Sequence, residues 1–85
     1  MTIQPEKIGA YIAALRKAKQ MTQTELGQRL QISSQAVSKW ERGECLPDTG
    51  VLLDLAEILG TTADSLLRGG EVMRTYSGKI RVADI

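Results

Sequence analysis

The chain has no histidine, no phenylalanine, one cysteine and two prolines among its 85 residues. Without His there is no imidazole base, no Ser–His or Cys–His nucleophile pair and no His metal ligand. The lone thiol, Cys45, makes neither an internal disulfide nor a thiolate metal cage, so nothing here calls for an oxidising compartment. Hydrophobic runs are short. None approaches the roughly 20 apolar residues that a membrane-spanning helix requires, and no signal peptide is visible. These gaps point away from an enzyme, from cofactors and from metals. They leave one small cytoplasmic domain that binds something and has no membrane role.

Excess charge of one sign is also missing: Lys and Arg number 11 and Asp and Glu 10, for a formal net charge of +1. The balance hides a gradient. Up to Gly43 the cations are Lys7, Arg16, Lys17, Lys19, Arg29, Lys39 and Arg42, against Glu6, Glu25 and Glu41. From residue 44 to 73 the sign reverses, with Arg68 against Glu44, Asp48, Asp54, Glu57, Asp64 and Glu71. A basic first half suits a polyanion engaged through one face, but on charge alone ordinary solvated helix faces are the better account.

What is abundant is helix punctuation. A first helix starts near Pro5, whose missing N–H is harmless at the first helical position. Its inward stripe is Ile8, Tyr11, Ile12, Leu15 and Ala18, and it ends near Lys19 to Met21. Thr22 and Glu25 form a capping box for a second helix that buries Leu26 and Leu30. A third starts at Ser33 or Ser34, turns Ala36, Val37 and Trp40 inward, and stops at Gly43 in a left-handed cap. Asp48 caps a fourth, with Val51, Leu52, Leu55, Ile58 and Leu59 inward and Gly60 at its end. Thr62 caps a short fifth carrying Leu66 and Leu67, closed by Gly69 and Gly70. The spacing therefore predicts an all-α, compact five-helix domain over residues 5–69. Residues 70–85 form a C-terminal tail. Its pattern around Ser77-Gly78 reads as two short strands, as a disordered tail or linker, or as a dimerisation arm or docking segment for a protein partner.

Residues 22–42 hold two short helices joined by a tight turn and fixed by Leu26, Leu30, Ile32, Val37 and Trp40. Gly27 at their crossing lets the backbones come close. This is helix-turn-helix geometry, which presents the second helix to a DNA major groove. Ser33, Ser34, Gln35, Ser38, Lys39 and Arg42 are left facing outward. Gln matches adenine N6 and N7, Lys donates to guanine O6 and N7, and Ser serves either. The bland alternatives are a solvated face for Gln35 and Lys39, and capping or solvation for Ser34 and Ser38. Gln23 either touches a phosphate at the start of its helix or is merely a polar first-turn residue. Trp40 reads as core. Glu41 reads as the ion-pair partner of Arg16, tying the recognition helix to the first helix. Cys45, with no basic neighbour or resolving thiol, reads as inert.

The stretch Thr22-Gln23-x-Glu25-Leu26, then Ser33-x-Gln35-Ala36-Val37-Ser38-Lys39-Trp40-Glu41-Arg42-Gly43, resembles the phage-repressor helix-turn-helix family of the Xre/Cro type. Pro47, Leu55-Ala56, Leu59-Gly60 and Asp64-x-Leu66-Leu67 continue the likeness, which covers about residues 8–69. The resemblance implies a lambda-repressor-like DNA-binding domain, working as a homodimer on a palindromic operator in double-stranded DNA. It implies base reading by Ser34, Gln35 and Lys39, and a backbone contact near Arg42. For Gln23 it implies a phosphate contact made while buttressing the recognition helix. It also implies a bacterial or phage-encoded regulator that sits on the nucleoid when bound, most simply a repressor. An antitoxin and a protein-bridging coactivator are the alternatives. The family often carries Gly where this chain has Gln31; a left-handed Gln there costs about 1 kcal/mol relative to Gly.

Overall fold

Every helix after the first begins where a side-chain oxygen can take up one of the amide groups that the first turn leaves unpaired. In the computed structural model, which describes residues 3–70, the order is α1 (Pro5–Ala18), α2 (Gln23–Leu30), α3 (Ser34–Glu41), α4 (Thr49–Leu59) and α5 (Ala63–Leu67). Thr22 Oγ1 accepts from Glu25 N at 3.0 Å and Glu25 Oε1 accepts from Thr22 N at 2.8 Å, completing the capping box. Ser33, not Ser34, caps α3, accepting from Ala36 N at 3.2 Å. Asp48 and Thr62 cap α4 and α5 in the same way, each at 3.0 Å. α1 has no side-chain cap and starts instead on Pro5.

The core is shared by all five helices: Ile8, Ile12, Met21, Leu26, Val37, Trp40, Leu52, Leu55, Ala56, Leu59 and Leu66. Burying a Leu or Val side chain contributes about 1.5–3 kcal/mol, and Leu26, Val37, Leu55 and Leu66 are fully enclosed. Ala18 departs from the expected stripe and is exposed. The cause is local: α1 ends at Ala18, the backbone enters the left-handed region at Gln20 (φ 60°), and the reversal carries Met21 into the core instead. Gly27 does permit a close approach, but to the turn itself. A Cβ there would lie 2.9 Å from the Ile32 carbonyl oxygen. A close approach between helices lies elsewhere, where a Cβ on Gly9 of α1 would lie 2.2 Å from the Trp40 carbonyl oxygen of α3.

Among the described residues there is no strand. The tail whose pattern suggests strands lies outside them, apart from Gly70. No helix among them is long and apolar enough to cross a membrane.

Candidate nucleic-acid interface

The turn between α2 and α3 is closed by its own backbone. Gln31 adopts φ 61° and ψ 41°, and Ile32 N donates to the Gly27 carbonyl at 2.8 Å. This turn delivers Ser33 to its capping position and sets the direction of α3. The helix then buries Val37 and Trp40. Side chains at spacings of three and four share a helix face. With Val37 and Trp40 inward, Gln35, Lys39 and Arg42 run along the opposite side, and all three are exposed. Ser33 is exposed and Ser34 and Ser38 are half-buried beside them. The structure thus brings Ser33, Ser34, Gln35, Ser38, Lys39 and Arg42 onto one short helix and its caps.

Behind this face, α3 is bolted to the scaffold by a carboxylate. Glu41 Oε2 accepts from Arg16 Nε at 2.7 Å and Glu41 Oε1 from Arg16 Nη2 at 3.0 Å. Arg16 Nη1 donates to the Met21 carbonyl at 2.8 Å. Gln23 Nε2 donates to Glu41 Oε1 at 2.9 Å, so Gln23 stands at the start of α2 with its amide braced against α3. Burial pushes the Glu41 carboxyl up, but the hydrogen bonds from Arg16 and Gln23 and the charges of Arg16 and Lys17 outweigh it. The group sits below its ordinary range. The hydrogen bond from Arg16 is also the main reason its own guanidinium holds its proton more tightly than usual.

The end of α3 holds a feature that composition alone does not reveal. Gly43 takes φ 77°, its N–H donates to the Trp40 carbonyl at 3.0 Å, and Glu44 N donates to the Lys39 carbonyl at 2.9 Å. These two bonds form a Schellman closure. It folds Glu44 back onto Arg42, with Arg42 Nε to Glu44 Oε2 at 2.7 Å and Arg42 Nη2 to Glu44 Oε1 at 3.3 Å. Arg42 Nη1 donates to Ser38 Oγ. The outward stripe on α3 carries no carboxylate of its own, yet the loop brings one to its end. The available signal was a Gly between an Arg and a Glu at a helix terminus. Cys45 lies just beyond, exposed and free.

A model of a helix-turn-helix domain matches residues 7–68. The chain belongs to the helix-turn-helix domain family. Its relatives include the C2 repressor of Salmonella phage P22, 39% identical over 62 residues, which covers 73% of this chain and 29% of the repressor. The transcriptional activator BcrR of Enterococcus faecalis is 37% identical over 59 residues, covering 69% of this chain and 29% of BcrR. An uncharacterised helix-turn-helix regulator of Bacillus subtilis, YazB, is 36% identical, covering 75% of this chain and 93% of YazB. The chain therefore spans under a third of the first two relatives and nearly all of the third. Among solved structures, the P22 c2 repressor in complex with a synthetic operator superposes with a TM-score of 0.71 at 39% identity, covering 73% of this chain and 94% of that one. This helix-turn-helix domain thus has the phage-repressor fold that its sequence resembles, and its relatives are transcriptional regulators, not enzymes.

Proposed function

We propose that this helix-turn-helix domain, over residues 5–69, binds double-stranded DNA sequence-specifically and regulates transcription, most simply as a repressor. In this reading it acts in the cytoplasm as a homodimer on a palindromic operator. One observation carries it: α3 sinks Val37 and Trp40 into the core while Gln35, Lys39 and Arg42 stand exposed on its other side. Such a helix offers amide, ammonium and guanidinium donors to a groove edge without unfolding anything. Gln35 and Lys39 take base edges, with Ser34 and Ser38 beside them. Ser33, Gln23 and Arg42 lie toward the phosphates. The P22 c2 repressor, similar in fold and sequence, is known in complex with a synthetic operator, which supports the same class of ligand here.

The test is selection of genomic DNA fragments by the purified protein in moderate salt, where attraction to phosphates alone is suppressed. An enriched inverted repeat with half-site centres about one helical turn apart, roughly 10–10.5 base pairs, is expected. Enrichment of a lone, non-repeated site would remove the dimer. No enrichment, with other proteins retained instead, would replace base reading by protein bridging.

A further inference from the structure

We propose that Glu44 is an internal competitor for DNA phosphate: its carboxylate occupies the Arg42 guanidinium in the free protein and must be displaced when Arg42 takes a phosphate. The proposal rests on the DNA-binding reading above and adds a residue that lowers affinity by design of the loop.

Three observations converge on it. The carboxylate meets the guanidinium fork with two oxygens, at 2.7 and 3.3 Å, which is the geometry in which Arg also takes a phosphate. The remaining Arg42 nitrogen, Nη1, is held by Ser38 on the outward side of α3, so the fork stays aligned with the reading face whichever anion fills it. Glu44 is also fixed in place by the backbone. Its N–H is bonded to the Lys39 carbonyl, and the Gly43 turn that returns it takes a left-handed φ of 77° that favours glycine. A Cβ on Gly43 would stand 3.1 Å from Glu6 Cα, so the turn is pinned against the start of α1 as well. Arg42 and Lys39 both draw the Glu44 carboxyl below its usual range, Arg42 mainly through its hydrogen bond.

Arg42 and Glu44 side chains are about half exposed, at 53% and 52%. An exchange of one anion for another at that depth is accessible, and the pair contributes little to folding. Each phosphate contact by Arg42 first breaks its pair with Glu44, and that cost is subtracted from the affinity. Without the Glu44 carboxylate the same contact forms at no such cost.

The experiment is a double-mutant cycle read by fluorescence anisotropy. The full chain, Glu44→Gln, Arg42→Ala and the Arg42→Ala/Glu44→Gln pair are titrated with a mixed-sequence DNA duplex about two helical turns long, over a series of salt concentrations. Glu44→Gln should bind roughly two- to five-fold more tightly. Its plot of log affinity against log salt should steepen modestly, because salt screens the half-exposed Arg42–Glu44 pair and so erodes the handicap of the parent. Both gains should vanish when Arg42 is already Ala. Gains that survive in the Arg42→Ala background would overturn the proposal, because they would be a general effect of one lost negative charge. Unchanged binding by Glu44→Gln, with Arg42→Ala weakened, would also overturn it while leaving DNA binding intact. Failure of the unmutated chain to bind any duplex would instead remove the DNA-binding reading itself.

Discussion

Replacing Glu41 by alanine removes the acceptor of three hydrogen bonds at once: Arg16 Nε at 2.7 Å, Arg16 Nη2 at 3.0 Å and Gln23 Nε2 at 2.9 Å. Arg16 then retains its bond to the Met21 carbonyl. The Arg16 and Glu41 side chains are only 11% and 9% exposed, so water does not replace what is lost. Deleting one partner of a buried pair costs about 3–5 kcal/mol. An exposed pair is worth about 0.2–1 kcal/mol. At about 4–8 °C per kcal/mol for a domain of this size, Glu41→Ala should melt at least about 12 °C below the parent. Glu41→Gln keeps one acceptor oxygen and the side-chain shape, so it should fall between the two and remain folded. Thermal and urea unfolding followed by circular dichroism measure both. A drop of less than about 4 °C for the alanine variant would place the pair among exposed ones and refute the reasoning. The pH dependence has a definite sign. A carboxyl depressed in the folded state contributes stability that is fully present above its unfolded value and lost as pH falls through the folded one. Below the ordinary carboxyl value of about 4.5, the parent should therefore lose stability more steeply than Glu41→Gln.

Gln31→Gly relieves a left-handed Gln (φ 61°) and should stabilise the domain by about 1 kcal/mol in urea unfolding; a loss would mean that the Gln31 side chain holds the turn. Gly9→Ala places a methyl against the Trp40 and Glu41 carbonyl oxygens, at 2.2 and 2.8 Å before any relaxation. It should destabilise by about 1–3 kcal/mol despite the better helix propensity of Ala, and a higher melting temperature would contradict that packing. Lys39→Ala should cost about 1–3 kcal/mol of binding and relax preference at one operator position; equal weakening on every sequence would make Lys39 a phosphate contact.

The helices were legible in the sequence because each boundary has a local cause: Thr22, Ser33, Asp48 and Thr62 cap within three residues of themselves. Short-range chemistry is readable from short-range sequence. The choice of Ser33 over Ser34 required the turn geometry, since both can accept the same kind of amide. Ala18 and Met21 exchanged places because the end of α1 is set by a left-handed Gln20, a conformation that Gln does not advertise. Gly9 gave no signal beyond being a glycine in a helix. Its role exists only because α3, far along the chain, lays its backbone against it. On the site itself, the outward set on α3 followed from subtracting the inward residues. The Glu44 carboxylate was missed because it belongs to the loop, and only the Gly43 turn carries it to Arg42.

The single indole of this chain, Trp40, is 5% exposed on the hidden side of α3, between Lys39 and Glu41. The protein consequently carries its own optical reporter at the helix that matters most, with no label to attach. Red-shifted emission would announce that the helix has lifted from its seat, whereas an unshifted spectrum on adding duplex would mean that it docks as a rigid body.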